Sequence, residues 1–172
     1  MTDFVSTWNN DSFLTCPIGP LGLIAMRGTE ELAGKVNQWL LKWRKHTEAT
    51  TMPGDMTTAP GMGREDFLIR TACPRFGNGE GKGLIKDSVR GLDLYILCDV
   101  GAYNCTYDMY GQKVPMSPDD HFADLKRIIA AIEGKAKRIN VIMPMLYEGR
   151  QHRRSARESL DCALALQELT AM

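Results

Sequence analysis

The stretch "SPDDHFADLKRIIAAIEGKAKRINVIMP", Ser117 to Pro144, decides the fold. Ser117 is an N-cap residue type, and Pro118 suits the first helical position. Asp119 and Asp120 place negative charge where the helix dipole is positive. Phe122, Leu125, Ile128, Ile129 and Ile132 recur at helical spacing and form an apolar stripe. Gly134 ends the helix, with Lys135, Lys137 and Arg138 near its carbonyl end. "INVIMP", Ile139 to Pro144, then reads as a buried strand.

Upstream, the same alternation repeats. "LGLIAM", Leu21 to Met26, reads as a short buried strand, and a helix begins at Thr29. Leu32, Val36, Leu40 and Trp43 share one face of it, with Ala33 and Trp39 beside them. Glu30 and Glu31 sit in its first turn, and Lys42, Arg44 and Lys45 in its last. Residues 1–20 read as a surface arm. His46 to Asp66 carries Thr, Gly, Pro and Met without a period and reads as a flexible insertion. "FLIRTA", Phe67 to Ala72, alternates weakly as a strand. A glycine-rich turn then leads into a short strand at Leu84 to Val89. "LDLYILCDV", Leu92 to Val100, is a buried strand. Gly101 to Met116 reads as a loop carrying Tyr103, Tyr107 and Tyr110. A last amphipathic helix starts near Glu158, with Leu160, Ala163, Leu164 and Leu169 inward. Strand, helix, strand, loop, helix is βαβ grammar. The expected fold class is α/β, a mostly parallel sheet flanked by helices.

Composition bounds the function. The chain has 172 residues, 44% hydrophobic, enough for one domain with a real core. Its 21 basic and 21 acidic residues balance, which argues against a general nucleic-acid or membrane-surface binder. Five cysteines, an odd number with no C-x-x-C pair, fit a reducing compartment better than a disulfide framework or a zinc site. Neither a signal-peptide pattern nor a membrane-length apolar run is present. The expectation is a soluble cytoplasmic protein.

Charge is local instead. Arg150 to Arg157 holds four arginines and His152 within eight residues. This run follows the "INVIMP" strand and precedes a helix, a place where α/β folds bind ligands. Guanidinium forks match phosphate oxygens bidentately, but solvated charge runs are common, and spacing alone leaves both readings open. "GNGEGKG", Gly77 to Gly83, fails the P-loop pattern: Phe76 stands where a glycine is needed and Gly83 where Ser or Thr is needed. His46, His121 and His152 show no metal-ligand spacing. Helix capping explains Asp119-Asp120 better than a metal does. No metal ligand is assigned.

Together these segments resemble ribose-phosphate diphosphokinase, the phosphoribosyl pyrophosphate synthetases. Three stretches carry the resemblance. "RFGNGEGKGLIKDSVRGLDLYIL", Arg75 to Leu97, is similar to the family's R-F-x-D-G-E segment and the S-V-R-G-x-D-V-Y strand after it. "DLKRIIAAIEGKAKRINVIMP", Asp124 to Pro144, is similar to the helix and strand before its nucleotide loop. "GRQHRRSARES", Gly149 to Ser159, is similar to its A-R-Q-D-R-K loop. "GTEELAGKVNQWL" also fits its first helix. The resemblance implies a phosphoribosyltransferase-like N-terminal domain over residues 21–172. The implied reaction moves diphosphate from ATP to ribose 5-phosphate, with Mg2+, in nucleotide biosynthesis. Arg150 and Gln151 would contact ATP, and Phe76, Asn78 and Glu80 would form the adenine pocket of a neighbouring subunit in a homo-oligomer. Arg153, Arg154 and Arg157 would be further phosphate contacts.

Departures from the family accompany the resemblance. Asn78 and His152 each stand where the family has an aspartate, and the path to Arg157 is shorter. Nothing matches the family's second domain, which binds ribose 5-phosphate, so these residues alone are expected to be inactive. Two rivals stay open. One is a non-catalytic, family-like regulatory or nucleotide-binding module. The other is an unrelated α/β domain with a solvated basic loop.

Overall fold

A computed structural model describes residues 18–50 and 65–172. In chain order the elements are β1 (Leu21–Ala25), α1 (Glu30–Thr50), β2 (Thr71–Ala72), β3 (Leu84–Ile85), β4 (Asp93–Leu97), β5 (Thr106–Met109), β6 (Gln112–Pro115), α2 (Pro118–Ile132), β7 (Arg138–Ile142) and α3 (Asp161–Ala171). β1, β4 and β7 form a parallel sheet in that order. Leu21 pairs with Asp93, and Asp93 with Arg138, so the strands start level.

Phe67 to Ile69 runs parallel along the free edge of β1. Leu23 N–H donates to Phe67 O and Ile69 N–H to Leu23 O, both at 2.8 Å. The chain therefore leaves β1 on one side and returns as β4 on the other. That reversal opens a crevice at the carboxyl ends of the strands.

Strand alternation builds the layers. Ile24, Leu94 and Ile96 meet Phe122, Leu125, Ile128 and Ile132 of α2, along with Ala165 of α3. Leu23, Leu97 and Tyr95 point the opposite way, to Ala33, Val36 and Leu40 of α1. The entry to α1 is fixed by Thr29. Its buried hydroxyl shares one proton between Met26 O at 2.8 Å and Leu97 O at 3.0 Å.

α2 forms as its sequence dictates. Ser117 Oγ accepts from Asp120 N–H at 3.1 Å, and Asp120 Oδ2 accepts from Ser117 N–H at 2.9 Å, a complete capping box. Its whole expected stripe is buried. The left-handed stop begins one residue before Gly134, with Glu133 at φ 53°.

Several expectations are corrected. α1 runs through Thr50, so 46–50 is helical rather than part of an insertion, and its basic residues lie short of the last turn. Residues 51–64 and 1–17, holding most of the expected insertion and arm, lie outside the described residues. The inward row of α1 contains Ala33, Asn37 and Leu40, while Leu32, Trp39 and Trp43 are exposed. Asn37 is satisfied inside because its Oδ1 accepts from Phe67 N–H at 3.1 Å. The run 67–72 is divided between two partners, β1 and β3. β3 is only two residues long.

Gly101 to Met116 is not simply a loop, because it contains the β5–β6 hairpin. Tyr110 at φ 50° and Gly111 at φ 77° give the double positive-φ turn that hairpin twist favours. β7 is an edge strand, half-buried rather than buried. α3 starts at Asp161 and buries Cys162 and Ala165, leaving Leu164 exposed.

Candidate nucleotide-phosphate site

The basic loop leaves the sheet after β7 and crosses the N-terminal end of α2. Tyr147 fixes that crossing. Its ring stacks on Phe122 with centroids 4.2 Å apart, and its hydroxyl donates to Asp119 Oδ1 at 2.8 Å. Burial and the Asp119 carboxylate both push the phenol above its ordinary pKa, so it remains a donor. Of the two aspartates considered for a metal, Asp120 is thus used for capping and Asp119 for Tyr147.

The loop is closed by one carboxylate. Glu158 accepts from the Gln151 side-chain amide at 3.1 Å and from Ser155 Oγ at 3.0 Å. These contacts, the Gln151 bond first, hold the Glu158 carboxyl below its usual range. Gln151 also donates to Ser159 O at 2.9 Å, so its amide oxygen is the atom left for a ligand. Gln151 O accepts from Cys162 N–H at the start of α3, at 3.3 Å. His152 Nδ1 lies 3.0 Å from Gly149 O, and a carbonyl can only accept, so that nitrogen donates.

The arginines stand apart from this closure. Among the described residues, Arg150, Arg153, Arg154 and Arg157 are exposed and make no hydrogen bond or ion pair. Arg150 borders a groove of about 620 Å³ at the carboxyl ends of β4 and β7, lined by Val100, Pro118 and Pro144 to Gly149. A groove with an apolar floor and the unpaired Arg150 guanidinium at its lip can take a phosphate group.

Phe76, Asn78 and Glu80 do not line that groove. They sit on a separate tight loop, where Phe76 N–H donates to Glu80 O at 2.6 Å. Asn78 Nδ2 donates to Glu80 Oε2 at 2.9 Å, and Asn78 Oδ1 accepts from Glu80 N–H at 3.1 Å. Amide and carboxylate therefore present one joined polar edge beside the exposed Phe76 ring. The loop is anchored by Arg75, whose side chain is only 5% exposed and binds Asp124 Oδ2 at 3.0 Å. Arg127 holds the other oxygen of Asp124 at 2.6 Å.

Tyr147, Glu158 and the Arg75–Asp124–Arg127 cluster were missed by sequence reasoning. Tyr147 had a signal: an aromatic between a strand end and a basic run. Asp124 had none, because a charged residue in an amphipathic helix ordinarily faces water.

Among the described residues, no group of three His, Cys, Asp or Glu side chains is placed to hold a metal ion. The described residues therefore do not make a protein cage for Mg2+. The described cysteines, Cys73, Cys98, Cys105 and Cys162, are free thiols. Burial pushes Cys73 up to about 11 and Cys98 to about 12, so neither is a ready nucleophile. No described helix is long and apolar enough to cross a membrane.

Comparison with known proteins bears on the fold and the family. The fold is similar to phosphoribosylpyrophosphate synthetase from Mycobacterium smegmatis, with a TM-score of 0.55 and 23% identity over 88% of this chain. The matched part is 39% of that protein's chain, so these residues span well under half of it. No curated protein sequence matches the chain. A family profile, the N-terminal domain of ribose phosphate pyrophosphokinase, matches residues 21–172. The chain belongs to that family.

Proposed function

We propose that this domain supplies the ATP contacts and a subunit interface of a ribose-phosphate diphosphokinase. The supporting observation is the set of unpaired guanidiniums on a loop closed by Glu158 through Gln151 and Ser155. The proposed reaction, in keeping with family membership, moves diphosphate from ATP to the C1 hydroxyl of ribose 5-phosphate. The sugar oxygen bonds to the β-phosphorus, the bond from that phosphorus to the α-phosphate bridging oxygen breaks, AMP leaves, and the hydroxyl proton passes to solvent. The contribution of this domain is positional and electrostatic. Arg150 holds the triphosphate at the groove, with Arg153, Arg154 and Arg157 spreading positive charge behind it. Magnesium, when bound, would be held chiefly by phosphate oxygens and retained water and would neutralise triphosphate charge beside Arg150.

The groove and the Phe76 loop lie apart within one chain, which supports a site shared between subunits of a homo-oligomer. The ribose 5-phosphate contacts belong to a second domain, and these residues alone are expected to yield no product. The proposed compartment is the cytoplasm.

Calorimetric titration of ATP in magnesium buffer tests the reading. Arg150→Ala is expected to weaken ATP by about 10- to 100-fold, the loss of one charge-assisted contact of ~1.5–3 kcal/mol. Raising salt should weaken the wild type too, because the guanidiniums are exposed. Equal affinity in both proteins would sink the assignment. The Asn78–Glu80 bond favours a second reading, a nucleotide-binding module without chemistry. A coupled assay of the protein with its complete second domain separates the two: ATP bound with no ribose 5-phosphate turnover would select the module.

A further inference from the structure

The tip of the β5–β6 hairpin contains a residue out of keeping with its backbone. Tyr110 has φ 50°, where Asn, Asp or Gly usually sits and an aromatic residue carries a steric cost. Packing does not offset that cost, since the side chain is 78% exposed. An outlier of this kind points toward use by a ligand.

Three contacts fix the hairpin against the Phe76 loop. Tyr110 N–H donates to Gly77 O at 2.8 Å. Met109 lies so close to Gly79 that a Cβ there would sit 2.8 Å from its sulfur. The Arg75 guanidinium stands 4.7 Å from the Tyr107 ring centroid while binding Asp124. Phe76, beside this junction, is 53% exposed, and Lys82 Nζ lies 5.8 Å from its ring centroid. The rings of Phe76 and Tyr110 do not stack on each other; the described ring pairs are Trp39–Trp43 and Phe122–Tyr147.

We infer that Tyr110 is a base-stacking residue, the second wall of a purine site whose first wall is Phe76. The Asn78–Glu80 edge lies between them in sequence and offers acceptors to an exocyclic amino group. This rests on the nucleotide reading above and adds to it a residue on a hairpin far from the arginine groove in sequence.

Two ligands and three variants test the inference. ATP in magnesium buffer reports base and phosphates together, whereas inorganic tripolyphosphate reports the arginines alone. Tyr110→Gly should weaken ATP about ten-fold, the scale of one base–aromatic stack. Tyr110→Phe should stay within about two-fold of wild type, since it keeps the ring. Tripolyphosphate should bind wild type, Tyr110→Gly and Tyr110→Phe alike, and Arg150→Ala more weakly. Tyr110→Gly removes the left-handed penalty, so its melting temperature should equal or exceed wild type. Wild-type ATP affinity in Tyr110→Gly, with loss in Arg150→Ala, overturns the second wall and leaves the phosphate reading standing. Parallel loss of tripolyphosphate in Tyr110→Gly also overturns it, by showing a structural effect. No loss in Arg150→Ala overturns the phosphate reading itself.

Discussion

Gly79 shows how one residue couples two distant segments. Its φ is 92°, and a methyl group would meet Met109 Sδ at 2.8 Å. Backbone and space thus both require glycine. Gly79→Ala should destabilise the protein by about 1–3 kcal/mol, since strain and overlap act together. Urea unfolding would show a lower midpoint at unchanged slope; an unshifted midpoint would mean that the hairpin yields easily. Sequence reading recognised a glycine-rich turn ahead of Leu84. It did not show which glycines are obligatory, because the neighbour of Gly79 lies thirty positions onward in a segment read as loop. The arginine cluster was legible as charge, since Arg150 to Arg157 is contiguous. Its closure by Glu158 was not, because a lone glutamate beside four arginines reads as surface until its hydrogen bonds are known.

Among elements, the start and apolar stripe of α2 were legible because their signals are local: cap, first-turn acids and helical spacing. The cap carries a measurable share. Ser117→Ala removes one half of the capping box and should cost about 1 kcal/mol. For a chain of this size that is a fall of roughly 2–4 °C in melting temperature. An unchanged melting curve would mean that Asp120 and Pro118 start the helix unaided. α1 was misread by a rotation. Its tryptophans looked inward by residue type, yet Lys42 lies over Trp39 at 4.8 Å and both tryptophans stay exposed. The buried Asn37 took a core position by accepting from Phe67 N–H, in the segment that runs along β1. The β5–β6 hairpin was missed because its strands are short and half-exposed, which leaves weak alternation and only the Tyr-Gly turn as a cue.

Across the whole molecule, the two ends of the sheet do different work. The carboxyl ends of β4 and β7 carry the arginine groove. The amino ends carry a clamp: Arg138 donates to Asp93 at 2.8 and 2.6 Å, and Asn140 donates to the same carboxylate at 2.9 Å. The clamp ties the central strand to the edge strand, so it acts on stability and not on ligand binding. The hydrogen bond from Arg138, opposed by burial and aided by Asn140, holds the Asp93 carboxyl below its ordinary value. A depressed carboxylate stabilises the fold above the unfolded pKa, about 4, and that contribution is lost as pH falls through the lower folded value. Asp93→Asn should therefore be less stable than wild type at pH 7 by about 1–2 kcal/mol, a figure kept small by the exposed side of Arg138. The gap should persist to about pH 5 and close below about pH 4. The exposed carboxylates Glu31, Glu133 and Glu158 are also depressed, but they titrate alike in both proteins and cancel in the difference. Urea midpoints measured from pH 7 to pH 3 would trace the gap, and one that stayed constant would remove Asp93 as its source. ATP affinity at pH 7 should stay within about two-fold of wild type, because the clamp and the groove occupy opposite ends of the same strands. A large loss of affinity in Asp93→Asn would show instead that the sheet transmits strain from one end to the other.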